Sequence, residues 1–154
     1  MSLATGTIPP DFTLPVDTGG EVTLSALKGG KVVVWFYPKD DTSGCTREAQ
    51  EFTALAAEFA AAGTTLIGIS KDSIASHGKF RAKYGLGPLL ASDTTGVAEA
   101  WGVWVQKSMY GRSYMGMERT TVLIAADGTV ARIWSKVKVP GHAAEVLAAA
   151  QALG

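Results

Sequence analysis

The residues with the most chemical promise lie in one stretch, Tyr37 to Gln50, "YPKDDTSGCTREAQ". It contains Cys45, the only cysteine among 154 residues. A thiolate is a strong nucleophile, provided its surroundings hold it in the charged form. Thr42 or Ser43 is a good N-cap for a following helix. That places Cys45 in the first helical turn, where free backbone N–H groups and the helix dipole favour an anion. One cysteine excludes an intrachain disulfide and any multi-cysteine metal site. With only His77 and His142 beside it, no zinc centre is expected, and no cofactor motif is visible.

Helical spacing adds a neighbour. Cys45, Glu48, Phe52, Leu55 and Phe59 recur at three and four residues, so they share one face. Phe52, Leu55 and Phe59 must pack inward, which puts Cys45 and Glu48 at the end of a buried stripe. Gln50 is turned away from Cys45. Two readings stand at this point. Cys45 is a small buried hydrophobe, or it is a nucleophile at the carboxyl end of a central strand, where open α/β sheets place their sites.

The elements that position this stretch follow from periodicity and punctuation. "DFTLPVDTGGEVTLSAL" reads as two short strands around a turn, and the pairs Gly19-Gly20 and Gly29-Gly30 as turn signals. "KVVVWFY" and "TTLIGIS" are continuous apolar runs, the mark of strands buried on both faces. A helix is expected from about Ser43 to Ala62, closed by Gly63. "DSIASHGKFRAKYG" reads as a helix ending at Gly85, "PLLASD" as a strand and "TGVAEAWG" as a short helix. "VWVQKSMYGRSYMGMER" has no clear period and is expected to be a loop, with Trp101, Trp104, Met109, Tyr110, Met115 and Met117 packing beneath it. "TTVLIAADGTVARIWS" is a hairpin turning at Asp127-Gly128, and "PGHAAEVLAAAQALG" a closing helix. His77 falls on a polar helix face and is expected to be solvated. His142 is expected to be structural. The pattern predicts an α/β fold with a mixed sheet, and residues 1–154 read as a single domain.

Bulk properties narrow the partners. Apolar residues make up 47 % and charged residues 18 %, ordinary for a folded chain. Fourteen basic and fourteen acidic residues cancel, which argues against nucleic acid or an anionic membrane as partner. No secretory signal and no bilayer-spanning run are visible. A lone thiol suits a reducing cytoplasm.

The same residues resemble a known family. "PKDDTSGCTRE" holds Pro38, Thr42 and Cys45 as P-x-x-x-T-x-x-C with Glu48 three residues on. That is similar to the active-site loop of peroxiredoxins, most of all the peroxiredoxin Q or bacterioferritin comigratory protein branch, with Ser43 in place of a usual proline. "IPPDFTLP", "GVW", "KSMYG" and "MERTTVLIAADG" extend the likeness over nearly the whole chain. The resemblance implies a thioredoxin-like fold with a central mixed sheet flanked by helices and an N-terminal β-hairpin extension. It implies thiol-dependent peroxidase activity on hydrogen peroxide and organic hydroperoxides. It implies that Cys45 attacks peroxide and becomes a sulfenic acid. By the same resemblance, Thr42 bonds the peroxide and the thiolate through its hydroxyl, and Arg119 stabilises thiolate and oxygens. Pro38 shields the thiol and Glu48 holds Arg119. Fixed donors of this kind suit the charge that grows on a leaving oxygen.

The chain departs from the family at the second cysteine. Branch members carry a resolving cysteine at a position that is Gln50 here, or in the next helix where Arg81 stands. An external thiol must therefore reduce the sulfenic acid: a thioredoxin-like protein, glutathione, another small thiol or the Cys45 of a second subunit. A monomer or weak homodimer is expected. The alternative is a peroxide sensor or chaperone-like module that passes oxidation to a partner protein. Without an internal sulfur to meet, the Cys45 helix has little need to unwind. Amide exchange across Ser43–Phe52 in the reduced protein is expected to be slow after the first turn, and fast exchange throughout would contradict this.

Overall fold

The computed structural model describes residues 3–154. The central sheet is built on β3 (Lys31–Phe36), the "KVVVWF" run, buried at every position. On one side β3 pairs in parallel with β4 (Thr64–Ser70), and β4 with β5 (Leu89–Ser92). On the other side it pairs antiparallel with β8 (Thr120–Ile124), and β8 with β9 (Val130–Trp134). The spatial order is β5-β4-β3-β8-β9. A second, two-stranded sheet of β1 (Thr13–Pro15) and β2 (Glu21–Thr23) forms the N-terminal hairpin. The mixed sheet and this hairpin match the thioredoxin-like expectation.

Alternation along β3 sorts the core into two layers. Val32, Val34 and Phe36 face the N-terminal hairpin, with Leu14, Ile67, Ile69, Val122 and Trp101. Val33 and Trp35 face the opposite layer, with Cys45, Phe52, Phe59, Leu123 and Val146. That second layer is closed by α1 (Ser43–Ala54), α2 (Ala56–Ala61), α3 (Ile74–Tyr84) and α5 (His142–Ala152). A single turn, α4 (Val97–Ala100), precedes the segment leading to β8. Cys45 thus belongs to the core layer that locks α1 onto the sheet.

Three expectations are corrected. The helix expected to run from Ser43 to Ala62 breaks at Leu55 into α1 and α2, although Gly63 does close it with φ 66°. The segment expected to be a loop is an antiparallel hairpin, β6 (Trp104–Met109) and β7 (Arg112–Met117), turning at Tyr110 and Gly111, both at positive φ. Its strands are exposed on both faces over most of their length, so no polar–apolar alternation marks them. Trp101 and Met117 are core residues rather than packing beneath a loop, while Met109, Tyr110 and Met115 are exposed. The helix end at Gly85 is as expected, in the left-handed conformation.

The contact that seats α1 is aromatic. Trp35 stacks on Phe52 with ring centroids 4.6 Å apart. Trp35 in turn lies over Gly68 of β4, where a Cβ would sit 2.6 Å from the indole ring. Only glycine admits that approach. Gly68→Ala is expected to cost about 1–3 kcal/mol through overpacking. Urea denaturation checks this, and a loss under about 0.5 kcal/mol would show that Trp35 repacks freely.

Candidate active site

Strand register brings the site together. Phe36, the last residue of β3, pairs with Thr120, the first of β8. The residue before β8, Arg119, is therefore set beside the loop that leaves β3 and enters α1. The loop reaches Thr42 in extended conformation, φ −93° and ψ 156°. The Thr42 carbonyl accepts the first helical bond, from the Thr46 N–H at 2.8 Å. The N–H groups of Ser43, Gly44 and Cys45 have no partner among the described residues, so three donors are free in the helical turn that carries the thiol. Thr42 is not the side-chain cap expected of it. Its hydroxyl donates back to the Lys39 carbonyl at 2.9 Å and tightens the loop instead.

One guanidinium joins two acids of α1. Arg119 Nη2 donates to Cys45 Sγ at 3.3 Å, and Nη1 to Glu48 Oε1 at 2.7 Å. Gly44 allows this approach, since a Cβ there would lie 3.2 Å from Nη2. Cys45 and Glu48 are each only 1 % exposed. Burial pushes the Glu48 carboxyl up from 4.5 to about 7, against the pull of Arg119 beside it. Its second oxygen, Oε2, has no hydrogen-bond partner among the described residues. Burial works against the charge of Arg119, yet Glu48 and Cys45 together hold its pKa above the ordinary value.

The structure thus brings Cys45, Glu48 and Arg119 into one hydrogen-bonded cluster. Thr42 and Pro38 lie on the exposed loop that leads into it, with no hydrogen bond to Cys45 among the described residues. Gln50 is exposed on α1, turned away from the thiol as its spacing predicts. Arg81, on α3, donates to both oxygens of Asp17 and to the carbonyls of Leu86 and Pro88. The cavity beside Leu24, Leu27, Val32 and Ile124, about 80 Å³, does not include the thiol.

His77 corrects its expectation. It is fully buried, not solvated. Nδ1 lies 2.7 Å from Asp40 Oδ2, and Nε2 lies 3.0 Å from the Ala91 carbonyl. The Tyr37 hydroxyl donates to Asp40 Oδ1 at 2.6 Å. Sequence reasoning missed this group because its members come from three separate elements. The one local signal was the spacing of His77 three residues before the apolar Phe80. His142 is buried as well. It bonds the Thr121 hydroxyl at 2.8 Å, and burial lowers its pKa, a structural arrangement.

The model of the AhpC/TSA family matches residues 5–133. The chain belongs to that family. It is 48 % identical over 148 residues, 96 % of this chain and 98 % of the other, to a putative peroxiredoxin Bcp of Coxiella burnetii. The bacterioferritin comigratory protein of Xanthomonas campestris superposes with a TM-score of 0.87 at 44 % identity, covering 92 % of this chain and 90 % of that one. Its structures have been studied for alkyl peroxide reduction. A cysteine variant of the peroxiredoxin Q of Xylella fastidiosa gives a TM-score of 0.93 at 35 % identity, covering 99 % and 98 %. Within the family, then, the chain is a peroxiredoxin of the Q or Bcp branch with one cysteine. The Xanthomonas protein has been changed from cysteine to serine at two positions. They are as far apart in sequence as Cys45 and Arg81 are here.

The Glu48 carboxyl sets a pH dependence of stability. Its folded pKa lies above its ordinary 4.5, so between 4.5 and about 7 the folded state binds more protons than the unfolded one. Stability from this group is full below its ordinary pKa and falls as pH rises through about 7. Glu48→Gln keeps an acceptor for Arg119 and cannot ionise. Thermal unfolding at several pH values between these limits is expected to show a decline on the order of 3 kcal/mol in wild type that the variant lacks. Parallel curves for the two proteins would place the proton elsewhere.

Proposed function

We propose that Cys45 is the peroxidatic nucleophile of this thiol-dependent peroxidase, on the observation that Arg119 bridges its sulfur and a buried carboxyl. The thiolate attacks the terminal oxygen of a hydroperoxide. An S–O bond forms as the O–O bond breaks. Sulfur loses two electrons and becomes a sulfenic acid, and the departing alkoxide or hydroxide takes a proton from water. Arg119 and the free N–H groups of Gly44 and Cys45 face the charge that grows on those oxygens. Arginine suits this because its planar fork serves Cys45 and Glu48 at once. Glu48 positions the guanidinium.

The Thr42 hydroxyl hydrogen is committed to Lys39, so its oxygen acts as acceptor for the O–H of the peroxide. Pro38 forms part of the rim that keeps water from the thiol. Because Cys45 is nearly enclosed, a slim terminal oxygen reaches it while the rest of a hydroperoxide stays outside. That fits both hydrogen peroxide and organic hydroperoxides, and the Xanthomonas relative supports the latter.

Peroxide as substrate and a thiol as reductant complete the cycle. The reductant comes from outside the chain, a thioredoxin-like protein, glutathione or another small thiol. Its sulfur attacks Cys45, an S–S bond replaces the S–O bond, and the oxygen leaves as water. A second thiol then releases Cys45. The chain works in the cytoplasm as a monomer or weak homodimer.

Stopped-flow oxidation by hydrogen peroxide, followed by tryptophan fluorescence, tests the site. Wild type is expected to react far faster than a free thiol. Cys45→Ser removes the phase and Arg119→Ala slows it by about a hundredfold or more. With peroxide in excess and no thiol present, mass spectrometry is expected to find sulfinic acid at Cys45. A wild-type rate equal to that of a free thiol would end this reading.

A further inference from the structure

The buried group around His77 is not used by the chemistry above, yet it holds the loop that carries it. Asp40 lies two residues after Pro38, two before Thr42 and five before Cys45. Its carboxylate takes three hydrogen bonds: Tyr37 OH on Oδ1, and Ser76 OH at 2.8 Å with His77 Nδ1 on Oδ2. Its backbone N–H donates to Asp72 Oδ2 at 2.9 Å. The next residue, Asp41, has φ 59°, an uncommon conformation for a side chain-bearing residue. Its carboxylate is held by Lys83 Nζ and Tyr84 OH at 2.8 and 2.6 Å. Both aspartates thus fasten the loop to α3 rather than to α1.

The ring of His77 has no choice of partner. Nδ1 faces a carboxylate and Nε2 faces the Ala91 carbonyl, and both are acceptors. Burial works against the charge of Asp40, yet bonds with His77, Tyr37 and Ser76 hold its carboxyl below the usual range. The groups around the ring are Asp40 of the loop, Tyr37 at the end of β3, Ser76 of α3, the Ala91 carbonyl of β5 and, through Asp40, Asp72 of the β4–α3 connection. Among the described residues no lysine or arginine bonds Asp40, so the carboxylate depends on these three side chains. Removing the ring strips one partner from a buried carboxylate, a costly state that the loop relieves by moving toward water.

We propose that His77 is a positioning residue for the peroxidase reaction: bridging Asp40 and the Ala91 carbonyl, it sets the Pro38–Thr42 turn that leads into Cys45. The inference rests on the Cys45 reading. It assigns to α3 a part in catalysis without any contact between α3 and the peroxide. Loss of the ring unlocks the turn, and the Thr42 oxygen and the mouth of the site move together.

Stopped-flow oxidation by hydrogen peroxide is measured at about neutral pH for wild type, His77→Gln, Asp40→Asn and the double variant, with Cys45→Ser as the blank. Each single variant is expected to lower the second-order rate constant by about ten- to a hundredfold, with the double variant no slower than the slower single. Amide exchange of Asp41 and Thr42 is expected to quicken in His77→Gln while that of α5 is unchanged, which a general structural defect does not do. If His77→Gln fails to fold, Ser76→Ala removes one bond to Asp40 at the helix surface and is expected to lower the rate several-fold. Folded variants within about twofold of a fast wild type overturn the positioning role and leave the Cys45 reading intact. A wild type no faster than a free thiol overturns both.

Discussion

A single half-buried cation shared by two acids on consecutive turns of one helix is the constraint around which this site is arranged. Arg119 reaches Cys45 and Glu48 together only because they lie three residues apart on α1 and because Gly44 leaves room for the guanidinium. The pairing of β3 with β8 supplies the third condition, since it places the start of β8 beside the loop that leaves β3. A one-residue slip of that register would carry Arg119 to the other face of the sheet. Sheet topology and site electrostatics are therefore one requirement.

The same requirement explains why the thiol is buried. A cysteine on the inner stripe of α1 shares its layer with Phe52, Trp35 and Phe59. Those rings share the dry layer in which the thiol sits, and low local polarity strengthens a hydrogen bond made there. Burial also leaves Glu48 with an oxygen that has no partner among the described residues and raises its pKa to about 7. Reactivity and packing draw on the same side chains, and neither is separable from the seating of α1 on Gly68.

What could be read beforehand follows from how local each signal is. The β3 and β4 runs were legible because strands buried on both faces are continuously apolar. The stripe from Cys45 to Phe59 was legible because helical spacing is local, although the break at Leu55 was not, since alanine-rich sequence favours helix on both sides of it. The β6–β7 hairpin carried no periodic pattern because neither of its faces is consistently buried. Arg119 was reached only through family resemblance, for it sits 74 positions from its sulfur partner. His77 was misjudged for a related reason. Its partners Asp40 and Ala91 come from other elements, and a helix pattern alone cannot show that a polar residue will be met by two buried acceptors.

Arg81 shows what a sulfur at its place would have to displace. Its guanidinium ties the end of α3 to Asp17 and to two carbonyls of the following turn, and Asp17 is itself almost fully buried. A cysteine placed here would not simply supply an internal disulfide. It would first strand a buried carboxylate and two carbonyls, and would face a loop that α3 now clamps in place. Arg81→Cys would therefore begin from a packing defect, and the fold as it stands resists a second sulfur at this position.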